Sequence, residues 1–276
     1  MKLMKQKKGL VWFLSFALMV GTLLFPGLTY KTHASNESKK KDETVKSSPK
    51  TVLSNKDGSV TLTKLNNQVW VHTTYTKING NSVPANGLLI TSSKGLLLVD
   101  VTWNDQLASE LLKLIDQHFH KPIKKAMITH HKIDRIGGIR TLLKENIPVV
   151  STTFIAKMAK EAGYPQPKPL LDNHPVMKFG KTIVETYYPG EGHTRDNITV
   201  WLPQYKILFG DMIFSLESQG VGIIDEANMN AWPYTIQNLM NKYPDAKLVI
   251  PGHKNWGDYS LLPHTLETLK KFKPSH

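Results

Sequence analysis

Apolar residues occur in three regimes along the chain. A continuous apolar run extends from Gly9 to about Leu28, behind Lys2, Lys5, Lys7 and Lys8, and a polar Ser/Lys/Asp stretch follows from Ser35 to about Ser54. Only beyond it do apolar positions recur with regular periods. Alternation or short apolar runs over residues 69–73, 87–91 and 96–101 predict strands, with Lys94-Gly95 as a turn. Between the first two, Ile78-Asn79-Gly80-Asn81 reads as a flexible turn, and the segment from Lys77 to Ser82 is wide enough to act as a flap. Beyond Trp103 the period changes: Leu107, Leu111, Leu114 and Ile115 fall on one helical face, with Asn104 or Asp105 placed to cap it.

From there strand and helix alternate. Residues 126–128 form a short buried strand that ends at histidines, 137–144 a helix, 149–150 a strand, and 153–161 a helix stopped by Gly163. A second β-rich stretch covers 182–187, 198–202 and 206–209. It is followed by a helix at 234–240, a strand at 248–250 and a closing helix at 262–272. Two β-rich halves, each followed by helices, predict an α/β fold of two sheets packed together with helices outside.

Composition adds bounds. With 276 residues, 40% hydrophobic and 9% aromatic, the chain can bury one full core in a domain expected at 59–276. The basic start, the apolar run and Thr32-His33-Ala34 have the form of a signal peptide, residues 1–34, cleaved after Ala34. A secreted protein is expected, touching a membrane only if the leader is retained. The formal charge of +13 includes five lysines and no acid within 1–34, so the mature chain carries +8. Lys39-Lys40-Lys41, Lys46 and Lys50 sit in a segment, 35–58, expected to be a flexible basic linker. No aromatics interleave with that run, which argues against nucleic acid as a partner. Cysteine is absent, so any metal must be held by His, Asp, Glu or Lys.

Polar groups with chemical potential cluster where apolar strands end. His130, His131, Lys132 and Asp134 follow one strand; Gly190-Glu191-Gly192-His193-Thr194, Gly210-Asp211 and Pro251-Gly252-His253 follow others. A rigid strand followed by a glycine-flanked polar residue delivers side chains to one point at little entropic cost. These stretches, with Val83-Pro84-Ala85-Asn86-Gly87, Ile128-Thr129-His130, Asp134-Arg135-Ile136-Gly137-Gly138, Tyr188-Pro189-Gly190, Asp196-Asn197-Ile198, Val200-Trp201-Leu202-Pro203 and Val249-Ile250-Pro251-Gly252-His253, occur in a single order. In them the chain resembles the subclass B1 metallo-β-lactamases of the wider metallo-β-lactamase superfamily over about residues 60–273.

The resemblance implies a four-layer αββα sandwich with a zinc site at one edge between the sheets. It implies that His130 and His193 are imidazoles of a first zinc site, and that Asp134 and His253 are ligands of a second. Two positions depart from it. The family's third imidazole falls on Lys132 and its thiolate on Asp211. Aspartate is a competent hard ligand, whereas an ammonium cannot coordinate until it loses a proton. Two arrangements follow: His131 replaces the missing imidazole, or the first site stays empty with Lys132 in it as a fixed cation beside Asp134. The second is preferred here, with one zinc on Asp134, Asp211 and His253. Asp134 would then orient the nucleophile, and Lys132 or a zinc-free His193 would stabilise the oxyanion.

Substrate contacts also differ from those the resemblance implies. Phe214 stands where a carboxylate-pairing lysine is implied, and Ile223 where an asparagine near the lactam carbonyl is implied; Trp103 and Trp232 are placed to line an apolar cleft or to fill the core. Three functions follow. The first is a zinc-dependent β-lactam hydrolase of weakened or altered activity, acting as a monomer on a small-molecule substrate. The second is a hydrolase of another small ester, lactone or thioester, and the third a non-catalytic binder of a ligand or wall component.

Overall fold

A computed structural model describes residues 51–272 except Gln219. The expected signal peptide and most of the expected linker lie outside the described residues. Eight strands form the first sheet side by side in chain order: β1 (Val52–Ser54), β2 (Val60–Lys64), β3 (Val69–Ile78), β4 (Asn81–Ser92), β5 (Gly95–Val99), β6 (Ile123–Met127), β7 (Val149–Ser151) and β8 (Lys168–Pro169). Its first five strands are an antiparallel meander. From β5 onward pairing is parallel, which requires crossovers. These carry α1 (Asp105–Phe119), the short α2 (Ile133–Ile136) and α3 (Ile139–Lys144), and α4 (Thr153–Glu161).

The second sheet runs β13-β12-β11-β10-β9, from β9 (Val176–Phe179), β10 (Thr182–Tyr187), β11 (Thr199–Leu202), β12 (Ile207–Gly210) and β13 (Leu248–Pro251). The helices α5 (Trp232–Lys242) and α6 (Leu261–Lys271) complete the chain. The two-residue period of its strands assigns the layers. Val200, Leu202, Ile207, Phe209 and Ile250 share a core with the first sheet and with Leu107, Leu111 and Ile115 of α1. Trp201, Leu208 and Val249, on the other face, pack with Trp232, Ile236, Leu239, Leu262 and Leu269 of α5 and α6. Helices thus cover the outer faces of two stacked sheets, the αββα order expected.

Three sequence expectations change in detail. Residues 52–54, assigned to the linker, form edge strand β1 paired with β2, because Leu53 finds an apolar surface to cover. The 78–81 turn is narrow. Asn79 and Gly80 both adopt positive φ (50° and 81°) and join β3 to β4 with Ile78 opposite Asn81, a two-residue hairpin turn matched to strand twist. The helix expected over 137–144 begins only at Ile139, and Gly137-Gly138 separate it from the short α2 before it. A Cβ on Gly137 would lie 2.1 Å from the Trp103 carbonyl oxygen and one on Gly138 2.5 Å from Ala108 Cβ, so close packing on α1 and its leading loop demands glycine at both. Asn104 supplies the cap of α1, its Oδ1 accepting from Leu107 N–H at 2.9 Å.

Candidate metal centre

Four loops meet at one edge between the sheets. The β6–α2 loop brings His130 to Asp134, the β10–β11 loop brings His193, and β12 and β13 end at Asp211 and Gly252-His253. Parallel pairing of Gly210 with Pro251 sets Asp211 beside Gly252. A Cβ on Gly252 would sit 1.3 Å from Asp211 Oδ1, so the glycine leaves the space that the carboxylate fills. The end of β6 is pinned by Asp100, whose two oxygens accept from Thr129 N–H and Oγ1–H, both at 2.7 Å.

Asp211 is the hub. Its Oδ2 lies 2.7 Å from His130 Nε2 and 3.3 Å from His193 Nε2. Its Oδ1 accepts from Arg135 Nη2 at 2.6 Å and lies 3.6 Å from His253 Nε2. His253 Nε2 is also 3.4 Å from Asp134 Oδ2. Two donor triads result, His130–His193–Asp211 and Asp134–Asp211–His253, and within each the ligand atoms all lie within 4.8 Å of one another.

Arg135 is the member that sequence reasoning passed over, quoting it only inside a motif. It is fully buried, donates to the carbonyls of Asn86 and Gly252, and sets Nε 3.1 Å from Asp134 Oδ2. An arginine directly following a candidate ligand and shortly before a glycine pair was the available signal.

Electrostatics follow from that packing. Burial would raise the Asp211 carboxyl, but Arg135 first, then His253 and His193, hold it well below the ordinary carboxylate range. Burial would raise Asp134 too, but Arg135 first, with His253 and His130, together hold it below the ordinary range. Burial pushes His193 down to about 4, so its imidazole is neutral. In His130 and His253 burial is outweighed, chiefly by Asp211, and both lie above the ordinary histidine value. Burial raises Asp100 to about 6 against the pull of Arg135.

The residues fit a divalent metal. Asp134 Oδ2 is buried and accepts no hydrogen bond, although Arg135 Nε lies 3.1 Å away, so its lone pairs are free for a cation. Two carboxylates and an imidazole form a donor set suited to zinc.

Other expected site residues lie elsewhere. Lys132 does not fill the first triad beside Asp134: its Nζ is 2.6 Å from Asp225 Oδ1, because an ammonium is better paired with a half-solvated carboxylate than packed among imidazoles. Nor does His131 replace the missing imidazole, its Nδ1 being 2.9 Å from Asp196 Oδ2 and its Nε2 3.0 Å from Glu226 Oε2. Trp103 is buried with its ring 5.9 Å from that of His253, forming a floor beside the site. Trp232 is core, donating from Nε1 to the Met212 carbonyl at 2.9 Å, its ring 5.8 Å from His193. Phe214, expected at the substrate, is buried against Trp232 at 5.2 Å between ring centres, since an apolar ring gains more in that core than in a wet cleft. Ile223 is 61% exposed, on the loop that also carries Asp225. An open groove of about 460 Å³ runs along that loop, lined by Met158, Arg195, Asp225, Glu226, Asn228 and Met229 among others.

Comparison with known proteins agrees with this geometry. Residues 80–253 match the metallo-beta-lactamase superfamily. Over 220 residues the chain is 44% identical to the metallo-beta-lactamase type 2 proteins of Bacillus sp. (strain 170) and of Bacillus cereus, covering 79% of this chain and 86% of each relative. A metallo-beta-lactamase from Pontibacter korlensis superposes with a TM-score of 0.75 at 36% identity, over 77% of this chain and all of that one. Sequence match and layer order converge, and the chain belongs to the metallo-beta-lactamase superfamily.

Proposed function

We propose that this chain, a hydrolase of the metallo-beta-lactamase superfamily, is an exported zinc enzyme that opens the amide bond of β-lactams with weakened activity. The observation that carries the proposal is the buried Asp134 Oδ2, without a hydrogen-bond donor, facing His253 Nε2 beside Asp211, in a chain whose relatives are named metallo-beta-lactamases. One ion is proposed, held by Asp134, Asp211 and His253. When bound there, zinc supplies Lewis acidity and makes water a nucleophile near neutral pH. Asp134 would orient the attacking water, and neutral His193 would offer a hydrogen bond to the oxygen on which charge develops. Arg135 holds Asp211 ionised and fixed. Of the three ligands His253 is the one facing solvent, its side chain 33% exposed, so substrate approaches from its side.

Weakened turnover follows from the surroundings. Phe214 is buried, Ile223 is aliphatic, and Lys132 is engaged by Asp225, so none of the three offers an anionic substrate a free cation. The same facts favour a second reading, a hydrolase of neutral esters, lactones or thioesters.

A chromogenic cephalosporin assayed with zinc, with chelator and with His253→Ala separates these. We expect slow, zinc-dependent turnover that the chelator and the variant both abolish. Inertness toward β-lactams with zinc-dependent hydrolysis of aryl esters or lactones supports the second reading, and inertness toward all with no bound metal overturns both.

A further inference from the structure

We infer that His130 is a positioning residue for the metal centre and not a ligand: it donates a hydrogen bond to Asp211 and thereby orients that carboxylate for a single ion on Asp134, Asp211 and His253. This inference rests on the zinc reading above and assigns His130 a role different from the one the family resemblance implies.

Ring hydrogen placement follows from partners that can play only one part. The Lys132 backbone N–H can only donate, and it reaches His130 Nδ1 at 3.1 Å. Nδ1 therefore presents its lone pair to that donor, and the ring carries its hydrogen on Nε2, the atom 2.7 Å from Asp211 Oδ2. A nitrogen that carries hydrogen in the ring plane has no lone pair left for a metal. His253 is arranged the other way round. Its Nδ1 lies 2.6 Å from the Pro84 carbonyl oxygen, which can only accept, so Nδ1 carries hydrogen and Nε2 aims a lone pair toward Asp134 Oδ2 and Asp211 Oδ1. Two histidines of one centre are thus set by backbone groups into opposite tautomers, one ready to ligate and one ready to donate.

The rest of the first triad agrees. The third imidazole that the resemblance implies for that site falls on Lys132, which is turned to Asp225. Asp211 is gripped from both sides, by His130 on Oδ2 and by Arg135 on Oδ1, and so cannot rotate away from the second triad. His130 is completely buried, so no water can replace its hydrogen bond.

The test uses the full-length protein, with zinc content by elemental analysis, competition titration for affinity, and long-range ¹H–¹⁵N correlation of the histidine rings. We expect one ion per chain, a His130 ring that keeps hydrogen on Nε2 after zinc is added, and a His253 Nε2 that shifts as a metal-bound nitrogen. His130→Gln, which restores a side-chain N–H donor near the same place, should keep the ion with affinity within about threefold. His130→Ala should keep it with affinity reduced roughly 10–100-fold, the usual cost of losing a group that orients a ligand. A metal-shifted His130 Nε2, or loss of the ion in His130→Gln, overturns the inference and leaves the zinc reading intact; two tightly bound ions overturn the inference together with the one-ion count, while zinc dependence stands. No ion in the unaltered protein overturns the zinc reading and this inference together.

Discussion

At the scale of single residues, the centre depends on groups that carry no reactivity of their own. Gly252 is one. Replacing it with alanine forces a methyl against Asp211 Oδ1, and we expect Gly252→Ala to cost about 1–3 kcal/mol by overpacking and to weaken zinc binding in the same protein, checked by urea unfolding and zinc titration. Arg135 is another. Removing it in Arg135→Met leaves Asp134 and Asp211 buried without their counter-charge, a loss of about 3–5 kcal/mol. Zinc should then raise the thermal midpoint of that variant more than that of the unaltered protein, because the ion replaces the missing charge. An equal shift in both would contradict the role given to Arg135. The ligand-type residues Asp134, His193, Asp211 and His253 were legible as residues, since each follows a strand and is flanked by glycine or sits in a family motif. The direction of Lys132 was not, because Asp225 lies 93 positions further along and only folding brings it within 2.6 Å.

Among the elements, period and capping carried most of the information. The α1 face and its Asn104 cap were readable, and Asn104→Ala should cost about 1 kcal/mol in urea unfolding by freeing the Leu107 N–H. No change in midpoint would show that the cap contributes nothing. Short elements were less legible. Strands β1 and β2 and the four-residue α2 have too few positions to display a period, and they exist because neighbours pair with them or bury them. The Gly137-Gly138 pair likewise reads as the start of a helix until α1 is packed against it.

For the whole molecule, the buried imidazoles couple stability to pH. Burial pushes His72 and His193 down to about 4. The unfolded chain takes up protons on both below about pH 6.5 while the folded one does not, so stability is lost as pH falls from 6.5 toward 4. Asp100, raised to about 6, acts with the opposite sign: its ionised form costs stability above that value, and the cost fades as pH falls through 6. His130 and His253, held above the ordinary histidine value, act in the same direction as Asp100 and oppose the acid-side drop that His72 and His193 produce. His72→Gln, which can still donate to the Val99 carbonyl but does not titrate, should show a smaller acid-side drop in unfolding midpoint. An identical pH slope in that variant would remove His72 from the account.

By itself the sequence determined the layered α/β architecture and the loops that carry the chemistry. Apolar period and strand-end glycines are local properties, and each can be read within a few residues. Tertiary structure alone decided which atoms face one another. It turned Lys132 outward to Asp225, buried Phe214 under Trp232, placed Arg135 between two carboxylates, and set His130 Nδ1 against the Lys132 N–H and His253 Nδ1 against the Pro84 carbonyl. The physical reason is that charge pairing and hydrogen-bond direction depend on separations of a few ångströms between residues far apart in the chain, and those separations do not exist until the two sheets have closed on each other.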